Sequence, residues 1–210
     1  MADRLRGKVA LITGSTTGIG RATALAMARE GASVVVNGRS RNLGADVVQA
    51  IEREGGVAAY RYADVGVSEQ VAELVDFAVQ RFGRIDILMN NAYSTVPGSV
   101  TELSEDDWDR SMAVLLKAPF LACKAALPRM VAQGGGSIIN TSSVHGYLAW
   151  DRYVVYDSAK AALINFTRQV AIDYGRHGIR SNAICPGAIV VERSEEQFFQ
   201  PPEKIEKYAV

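Results

Sequence analysis

The chain has 210 residues, and its 23 lysines and arginines balance its 23 aspartates and glutamates. A chain of this length is expected to fold as one domain. Its composition, 48% apolar and 22% charged, excludes disordered, collagen-like and coiled-coil proteins. Zero formal net charge argues against binding to nucleic acid or to an anionic membrane, because both need an excess of basic side chains. We therefore predict a small molecule, or a second copy of the chain, as the partner.

The cysteines and the N-terminus indicate the cellular compartment of the protein. Cys123 and Cys185 are too few for a disulfide framework and lack metal-ligand spacing, which favours a reducing compartment and inert core positions for both. The N-terminus carries no signal-type apolar stretch, and no continuous apolar run approaches the ~18 residues of a membrane helix. We predict a cytoplasmic protein without membrane contact. We predict no metal site, because the glutamates near the C-terminus are expected on a solvated helix face.

Short β-branched segments alternate with longer helical patterns along the chain, as is typical of βαβ units in a parallel sheet. The predicted strands are Val9–Thr13, Ser33–Asn37, Ala58–Tyr62, Ile85–Asn90, Ser137–Thr141 and Ile179–Ile184. The predicted helices are Ile19–Glu30, Gly44–Glu54, Ser68–Phe82, Glu105–Ala132 and Val154–Tyr174. We therefore predict an α/β fold, a doubly wound, Rossmann-like parallel sheet with helices on both faces.

A glycine-rich loop follows the first strand. It reads Thr13-Gly14-Ser15-Thr16-Thr17-Gly18-Ile19-Gly20 and leads directly into a helix. Glycines there permit a tight turn and let backbone N–H groups approach a diphosphate at the positive end of the helix dipole. The spacing alone also suits an ordinary strand-to-helix turn. Its place at the first βα junction favours a dinucleotide, with contacts predicted from Gly14, Thr17, Gly18, Ile19 and Gly20.

The end of the second strand bears on which dinucleotide is bound. The stretch Asn37-Gly38-Arg39-Ser40-Arg41 has no carboxylate to receive the ribose hydroxyls. Arg39 and Arg41 could instead pair with a 2′-phosphate through charge-assisted hydrogen bonds. This favours NADP over NAD. The alternative is that both arginines are solvated turn residues.

Tyr156 and Lys160 stand four residues apart and share one face of a helix. The functional interpretation is that Lys160 lowers the pKa of Tyr156, so that a phenol titrating near ~10 serves as an acid or base nearer neutrality. The alternative is an ordinary surface pair.

The motifs together resemble the short-chain dehydrogenase/reductase family. The Gly-rich loop, Asn90-Asn91-Ala92, Ser142-Ser143, Tyr156-x-x-x-Lys160 and Pro186-Gly187 occur in the family's order, over residues Arg6 to Ile189. The resemblance implies a nicotinamide cofactor, a small-molecule carbonyl or alcohol substrate, and a homodimer or homotetramer. It implies that Tyr156 exchanges a proton with the substrate oxygen and that Lys160 also holds the nicotinamide ribose. Ser143, rather than Ser142, would polarise the substrate oxygen.

The resemblance also assigns the remaining cofactor contacts. They are Asp64 with Val65 near the adenine, Asn91 and Ala92 with Asn90 near the adenosine, and Pro186, Gly187 and Ile189 near the carboxamide.

Three positions depart from the family pattern. Leu115 replaces an asparagine whose backbone holds a water, so we expect an altered helix kink and slower turnover. Tyr93 replaces a glycine and would either fill substrate or cofactor space or turn outward to line the pocket. Val191 replaces a threonine. These departures keep open a second function, a catalytically impaired cofactor-binding subunit or redox sensor.

The domain prediction follows from the motif positions. Residues 1–190 are expected to form the dinucleotide-binding and catalytic domain, and residues 191–210 a substrate-flap segment. Family members continue past such a flap with a further helix and a last strand, so either the given sequence is part of a longer chain or the sheet ends at the sixth strand. In the second case we expect oligomerisation to cover the exposed edge. Aromatic residues after Ser143 suggest an apolar or ring-bearing substrate, with His145 either touching that substrate or serving only the loop.

Overall fold

The computed structural model describes residues 3–189 and 191, and these residues form a six-stranded parallel sheet in the order β3-β2-β1-β4-β5-β6. The strands are β1 Val9–Ile12, β2 Ser33–Gly38, β3 Val57–Tyr62, β4 Ile87–Asn90, β5 Gly136–Thr141 and β6 Ile179–Ile184. The helices are α1 Gly18–Arg29, α2 Arg41–Arg53, α3 Ser68–Phe82, α4 Glu105–Met112, α5 Ala118–Ala132 and α6 Val154–Tyr174. The predicted doubly wound α/β fold is confirmed.

Alternation along β1 explains why helices cover both faces of the sheet. Leu11 belongs to a core that contains residues of α3 and α5, whereas Ile12 belongs to a second core with residues of α1 and α2. Successive side chains of a strand point to opposite faces. A strand buried on both faces therefore reads as a continuous apolar run, as Val9–Ile12 does.

Most element ends agree with the sequence prediction, and α3, α6 and β6 have the predicted bounds. Helix α2 begins three residues earlier than predicted because Ser40 caps it, with its hydroxyl accepting from the Leu43 N–H at 3.4 Å. Strand β4 begins at Ile87 rather than Ile85. Here Asp86 accepts from the Val9 N–H through its side chain, at 2.9 Å.

The long helix predicted over 105–132 is interrupted. A π-helical segment, Ala113–Lys117, separates α4 from α5, and its Leu115 side chain is buried. This segment packs against α6, which carries the Tyr156 and Lys160 pair. An expanded turn of this kind changes the direction of a helix and is frequent at functional sites.

The same stretch is apolar enough to be compared with a membrane helix. Glu105–Ala132 contains an 18-residue window of mean hydropathy 1.3, long and apolar enough by composition to cross a membrane. Counting continuous apolar runs missed it because Lys117 and Lys124 interrupt the run. Its buried residues belong to the core beneath α3, as expected for an internal helix of a folded domain.

Candidate active site

The predicted site residues converge at the carboxyl edge of the sheet. The loops that follow β1, β4, β5 and β6 all leave the sheet there, and parallel α/β sheets bind ligands at that edge. After their predicted roles, we call the loop after β1 the nucleotide side and the loop after β5 together with α6 the catalytic side.

The glycine-rich loop is a cradle that side chains would fill. Gly14 has φ +62°, and a Cβ there would lie 2.7 Å from the Ala92 Cα. A Cβ on Gly20 would lie 2.3 Å from the Gly14 carbonyl oxygen. Gly18, with φ +53°, begins α1. Gly14 therefore requires glycine for both conformation and space, Gly18 for conformation and Gly20 for space.

The start of α1 suits an anionic ligand. Its N-cap, Thr17, makes no side-chain capping hydrogen bond, and the first turn contains no acidic residue. The N-caps of α2 and α4, by contrast, are Ser40 and Ser104, whose hydroxyls accept from backbone N–H groups. A helix start without a side-chain cap, set in a glycine cradle, fits the diphosphate of a dinucleotide.

The side chains of Asn91 and Asn90, predicted near the adenosine, both make hydrogen bonds within the protein. The Asn91 amide donates to the Thr13 and Gly14 carbonyl oxygens, each at 3.1 Å, and so holds the glycine-rich loop. The Asn90 amide is buried and donates to Asn140 Oδ1 at 2.8 Å. The Asn90 side chain is therefore part of the sheet's interior.

The two arginines predicted to bind a 2′-phosphate, at the end of β2, have different neighbours. Asn37 is buried, and its side-chain amide donates to the Arg61 and Ala63 carbonyl oxygens. Arg39 is two-thirds exposed and its guanidinium lies 3.6 Å from Asp64. The Arg41 guanidinium lies over the Tyr62 ring, 5.1 Å from its centroid.

Val65, predicted beside the adenine, is buried in the core beneath α3.

Lys160 is buried on α6. Its Nζ donates to the Thr141 carbonyl oxygen at 2.6 Å and lies 5.4 Å from the centroid of the Tyr156 ring. Burial lowers the pKa of Lys160 to about 8, and Cys185 acts in the opposite direction. Cys185 itself is partly exposed, so the predicted core position holds only for Cys123.

The predicted lowering of the Tyr156 pKa is wrong for the protein alone. The pKa of this phenol is raised, mainly by burial, with smaller contributions from Asp157 and Tyr153. The neighbouring Ser143 hydroxyl acts in the opposite direction. Sequence spacing indicated the neighbouring lysine but not the desolvation of the phenol, which is the main cause of the raised Tyr156 pKa.

The two serines after β5 face different partners. The Ser142 hydroxyl donates to the Lys160 carbonyl oxygen at 2.8 Å and so ties the loop to α6. Ser143 lies beside Tyr156, and its hydroxyl accepts from the His145 N–H at 3.2 Å. Of the two hydroxyls, that of Ser143 is the one placed beside the phenol.

Aromatic rings surround Tyr156. Tyr93, half-exposed, meets it edge to face with ring centroids 5.6 Å apart. Tyr153 lies 6.0 Å away, and His145 5.4 Å away. Tyr93 therefore stands next to the predicted acid, and both alternatives for its role stay open.

The loop after β6 connects the two sides of the site. The Pro186 carbonyl oxygen accepts from the Val144 N–H at 3.1 Å, next to Ser143. Farther along, Ile189 and Val191 bound a cavity of about 820 Å³ on the outer side of α1. Neither Ser143 nor Tyr156 lines this cavity, so it is not the substrate pocket.

Sequence reasoning missed three supporting groups. The Thr13 hydroxyl accepts from the Asn91 and Ala92 N–H groups, and the Asn140 amide donates to Thr167 Oγ1 at 2.9 Å. The Thr141 carbonyl oxygen binds Lys160. A buried polar residue at a strand end gives a weak signal for the first two, whereas a backbone carbonyl leaves no sequence signal.

The comparisons with known proteins agree with this architecture. The family model for short chain dehydrogenase matches residues 8–200. An uncharacterized oxidoreductase of Thermotoga maritima is 45% identical over 87% of this chain and 72% of its own length. A 3beta-hydroxysteroid dehydrogenase of Eggerthella lenta is 39% identical over 96% of this chain and 78% of its own length. A Burkholderia xenovorans crystal structure assigned to the short-chain dehydrogenases/reductases has a TM-score of 0.85 at 37% identity, covering 89% of this chain and 77% of that one.

Fold, site and relatives define an NAD(P)-dependent oxidoreductase that acts on CH–OH groups of small molecules. The chain belongs to the short-chain dehydrogenase/reductase family.

Proposed function

We propose that the protein uses NADP to interconvert a secondary alcohol and a ketone, with Tyr156 as the acid and base. The observation that carries this proposal is the arrangement on the catalytic side. The phenol has the Ser143 hydroxyl beside it and the buried Lys160 ammonium 5.4 Å from its ring centroid. The proposal places the reacting oxygen of the substrate between Ser143 and Tyr156.

In the reducing direction, Tyr156 gives its proton to the carbonyl oxygen. Its raised pKa keeps the phenol protonated across neutral pH, which suits an acid. Ser143 donates to the same oxygen and stabilises its developing negative charge. The Ser143 hydroxyl is oriented for this by the His145 N–H, which fills one of its acceptor positions. NADP, when bound, supplies or accepts the hydride.

Lys160 would act through charge. Its ammonium, held by the Thr141 carbonyl oxygen, stabilises a phenolate at Tyr156 when the phenol has lost its proton. In the oxidising direction this helps Tyr156 to accept the alcohol proton. Lys160 would also hold the nicotinamide ribose.

On the nucleotide side, Gly14, Thr17, Gly18, Ile19 and Gly20 would bind the diphosphate at the start of α1. Arg39 would hold the 2′-phosphate, because it is exposed at the end of β2 and that strand carries no carboxylate of its own. The phosphate would compete with Asp64, whose carboxylate lies 3.6 Å from the Arg39 guanidinium. Ala92 would lie beside the adenosine, and Asp64 beside the adenine. Pro186, Gly187 and Ile189 would hold the carboxamide.

We also propose a cytoplasmic homodimer or homotetramer. Phe120 on α5 and Ile172 on α6 are large apolar residues, 47% and 75% exposed, on the two longest helices of the second half of the chain. Light scattering tests this assembly directly. The flap role proposed for residues 191–210 lies outside the described residues, apart from Val191.

The decisive experiment is the Tyr156→Phe variant assayed for NADPH oxidation with ketones, 3-oxoacyl thioesters and sugars. We expect a loss of kcat of about 10³-fold or more, because the variant keeps the ring and loses the proton donor. Tyr174→Phe, at the far end of α6, is the matched control and should leave kcat unchanged. An unchanged rate in Tyr156→Phe would exclude this tyrosine as the acid.

A further inference from the structure

A histidine and an aspartate form a close pair beside the proposed acid, and the proposed function uses neither side chain. His145 lies in the 3₁₀ turn after Ser143, and its Nδ1 is 2.6 Å from Asp157 Oδ1. Asp157 directly follows Tyr156 in α6. Both side chains are largely buried, at 20% and 14% exposure.

The pairing determines which imidazole nitrogen carries the hydrogen. Asp157 also accepts from the Trp150 N–H at 2.8 Å, so the carboxylate acts as an acceptor on both oxygens. An ionised carboxylate has no hydrogen to donate, and the hydrogen shared with His145 therefore belongs to Nδ1. In a neutral imidazole, Nε2 is then an acceptor. Within the described part of the chain, Asp157 is the only side chain that hydrogen-bonds to this ring.

The surroundings of His145 suit a ring-shaped ligand. Its ring centroid lies 5.4 Å from that of Tyr156, 5.6 Å from that of Tyr153 and 5.7 Å from that of Trp150. Aromatic faces pack well against the apolar faces of a ring, and a hydrogen-bonding nitrogen among them adds selectivity for polar substituents.

We propose that His145 is a substrate-binding residue whose Nε2 accepts a hydrogen bond from a second hydroxyl group of the substrate, on a ring carbon next to the reacting one. This inference rests on the proposed function, because Tyr156 marks the reacting oxygen. A carbonyl or ether group at the second position cannot make the bond, since it has no hydrogen to donate. Adjacent carbons are expected because the His145 and Tyr156 rings are direct neighbours.

The first test needs no turnover. The chain contains only two histidines, so ¹⁵N NMR spectra of the labelled protein are assigned with the His177→Gln variant. At alkaline pH, with neutral imidazoles, we expect His145 to carry its hydrogen on Nδ1. The Asp157→Ala variant should lose this preference. A hydrogen on Nε2 in the parent protein would overturn the inference.

The same spectra test binding. Titration with trans-cyclohexane-1,2-diol in the presence of NADP should shift the His145 Nε2 resonance, whereas cyclohexanol at equal concentration should shift it much less. Equal responses to the two compounds would contradict a bond to the second hydroxyl.

The kinetic test compares the ratio of kcat/KM for the diol to that for cyclohexanol. We expect a ratio of about ten in the parent, the size of one hydrogen bond, and a ratio near one in His145→Phe. His145→Gln, which keeps an acceptor, should recover part of the ratio, and His177→Phe should leave it unchanged. An unchanged ratio in His145→Phe overturns the inference while leaving the proposed function intact. A parent protein inactive with every alcohol and carbonyl contradicts the proposed function instead, and the NMR result still decides the inference.

Discussion

The two sides of the site are built from different materials. The nucleotide side is formed by backbone and glycines, with Asn91 and Thr13 serving to hold that backbone in place. The catalytic side is formed by side chains, with Ser143, Tyr156 and Lys160 positioned by a buried polar network. A site made of backbone is damaged by adding atoms, whereas a site made of side chains is damaged by removing them. Changes on the first side should therefore act on cofactor binding, and changes on the second on turnover.

The largest effect within this comparison is expected for Lys160→Met. The variant loses the ammonium beside Tyr156, and kcat should fall by about 10³-fold. Its free energy of unfolding at pH 7 should be equal to or above that of the parent, by up to about 2 kcal/mol, because a buried charge is replaced by an apolar side chain of similar length. Denaturant unfolding measures this. A large loss of stability would show that the bond to the Thr141 carbonyl oxygen outweighs the burial of the charge.

The pH dependence of stability tests the same residue. The Lys160 pKa is about 8 in the folded protein and 10.5 ordinarily, so between these values the unfolded chain binds a proton that the folded chain does not. Stability contributed by this group therefore rises with pH across that window. We expect the parent to gain free energy of unfolding relative to Lys160→Met from pH 8 to 10.5. No relative gain would contradict the lowered pKa.

A smaller effect, on cofactor binding, is expected for Gly14→Ala. The added Cβ would meet the Ala92 Cα at 2.7 Å in a residue with φ +62°, and neither backbone segment can move without disturbing the loop. The KM for NADPH should rise by about 100-fold, with a smaller change in kcat. Gly55→Ala is the matched control, because its φ is +80° but its Cβ would meet nothing within 4 Å. If both variants lose stability equally and neither changes KM, the loop tolerates the extra atom.

The difference between the two sides also explains what the sequence could predict. Glycine spacing and β-branched runs report backbone geometry directly, and the ends of all six strands were predicted within two residues. The catalytic side depends on burial and on partners distant in sequence, so the direction of the Tyr156 pKa was mispredicted. The Asn90–Asn140 hydrogen bond was not predicted for the same reason, because the two residues are fifty positions apart. The apolar pattern predicted one continuous helix over 105–132, and only the family resemblance indicated an irregularity at Leu115, which lies in the π-helical segment.

The Arg39→Ala variant should change cofactor choice by about ten- to fifty-fold. We expect the parent to use NADPH better than NADH, because an exposed guanidinium can pair with the 2′-phosphate. The variant should lose most of this preference through a higher KM for NADPH, with kcat for NADH unchanged. Arg53→Ala, on the exposed end of α2, is the control. A parent that uses NADH better would contradict the NADP proposal.

The smallest effect is expected at Leu115, in the π-helical segment that packs on α6 of the catalytic side. The side chain is 1% exposed in the π-helical segment that packs on that helix, so the irregular turn forms with leucine at its centre. Leu115→Asn should raise kcat by about two- to five-fold by returning a hydrogen-bonding group near Lys160, at a stability cost of about 2–4 kcal/mol for a polar group in an apolar site. Leu115→Met, which changes shape without adding a polar group, should not raise kcat. If both variants leave kcat unchanged, the proton route beside Lys160 depends on the π-helical backbone rather than on the side chain at this position.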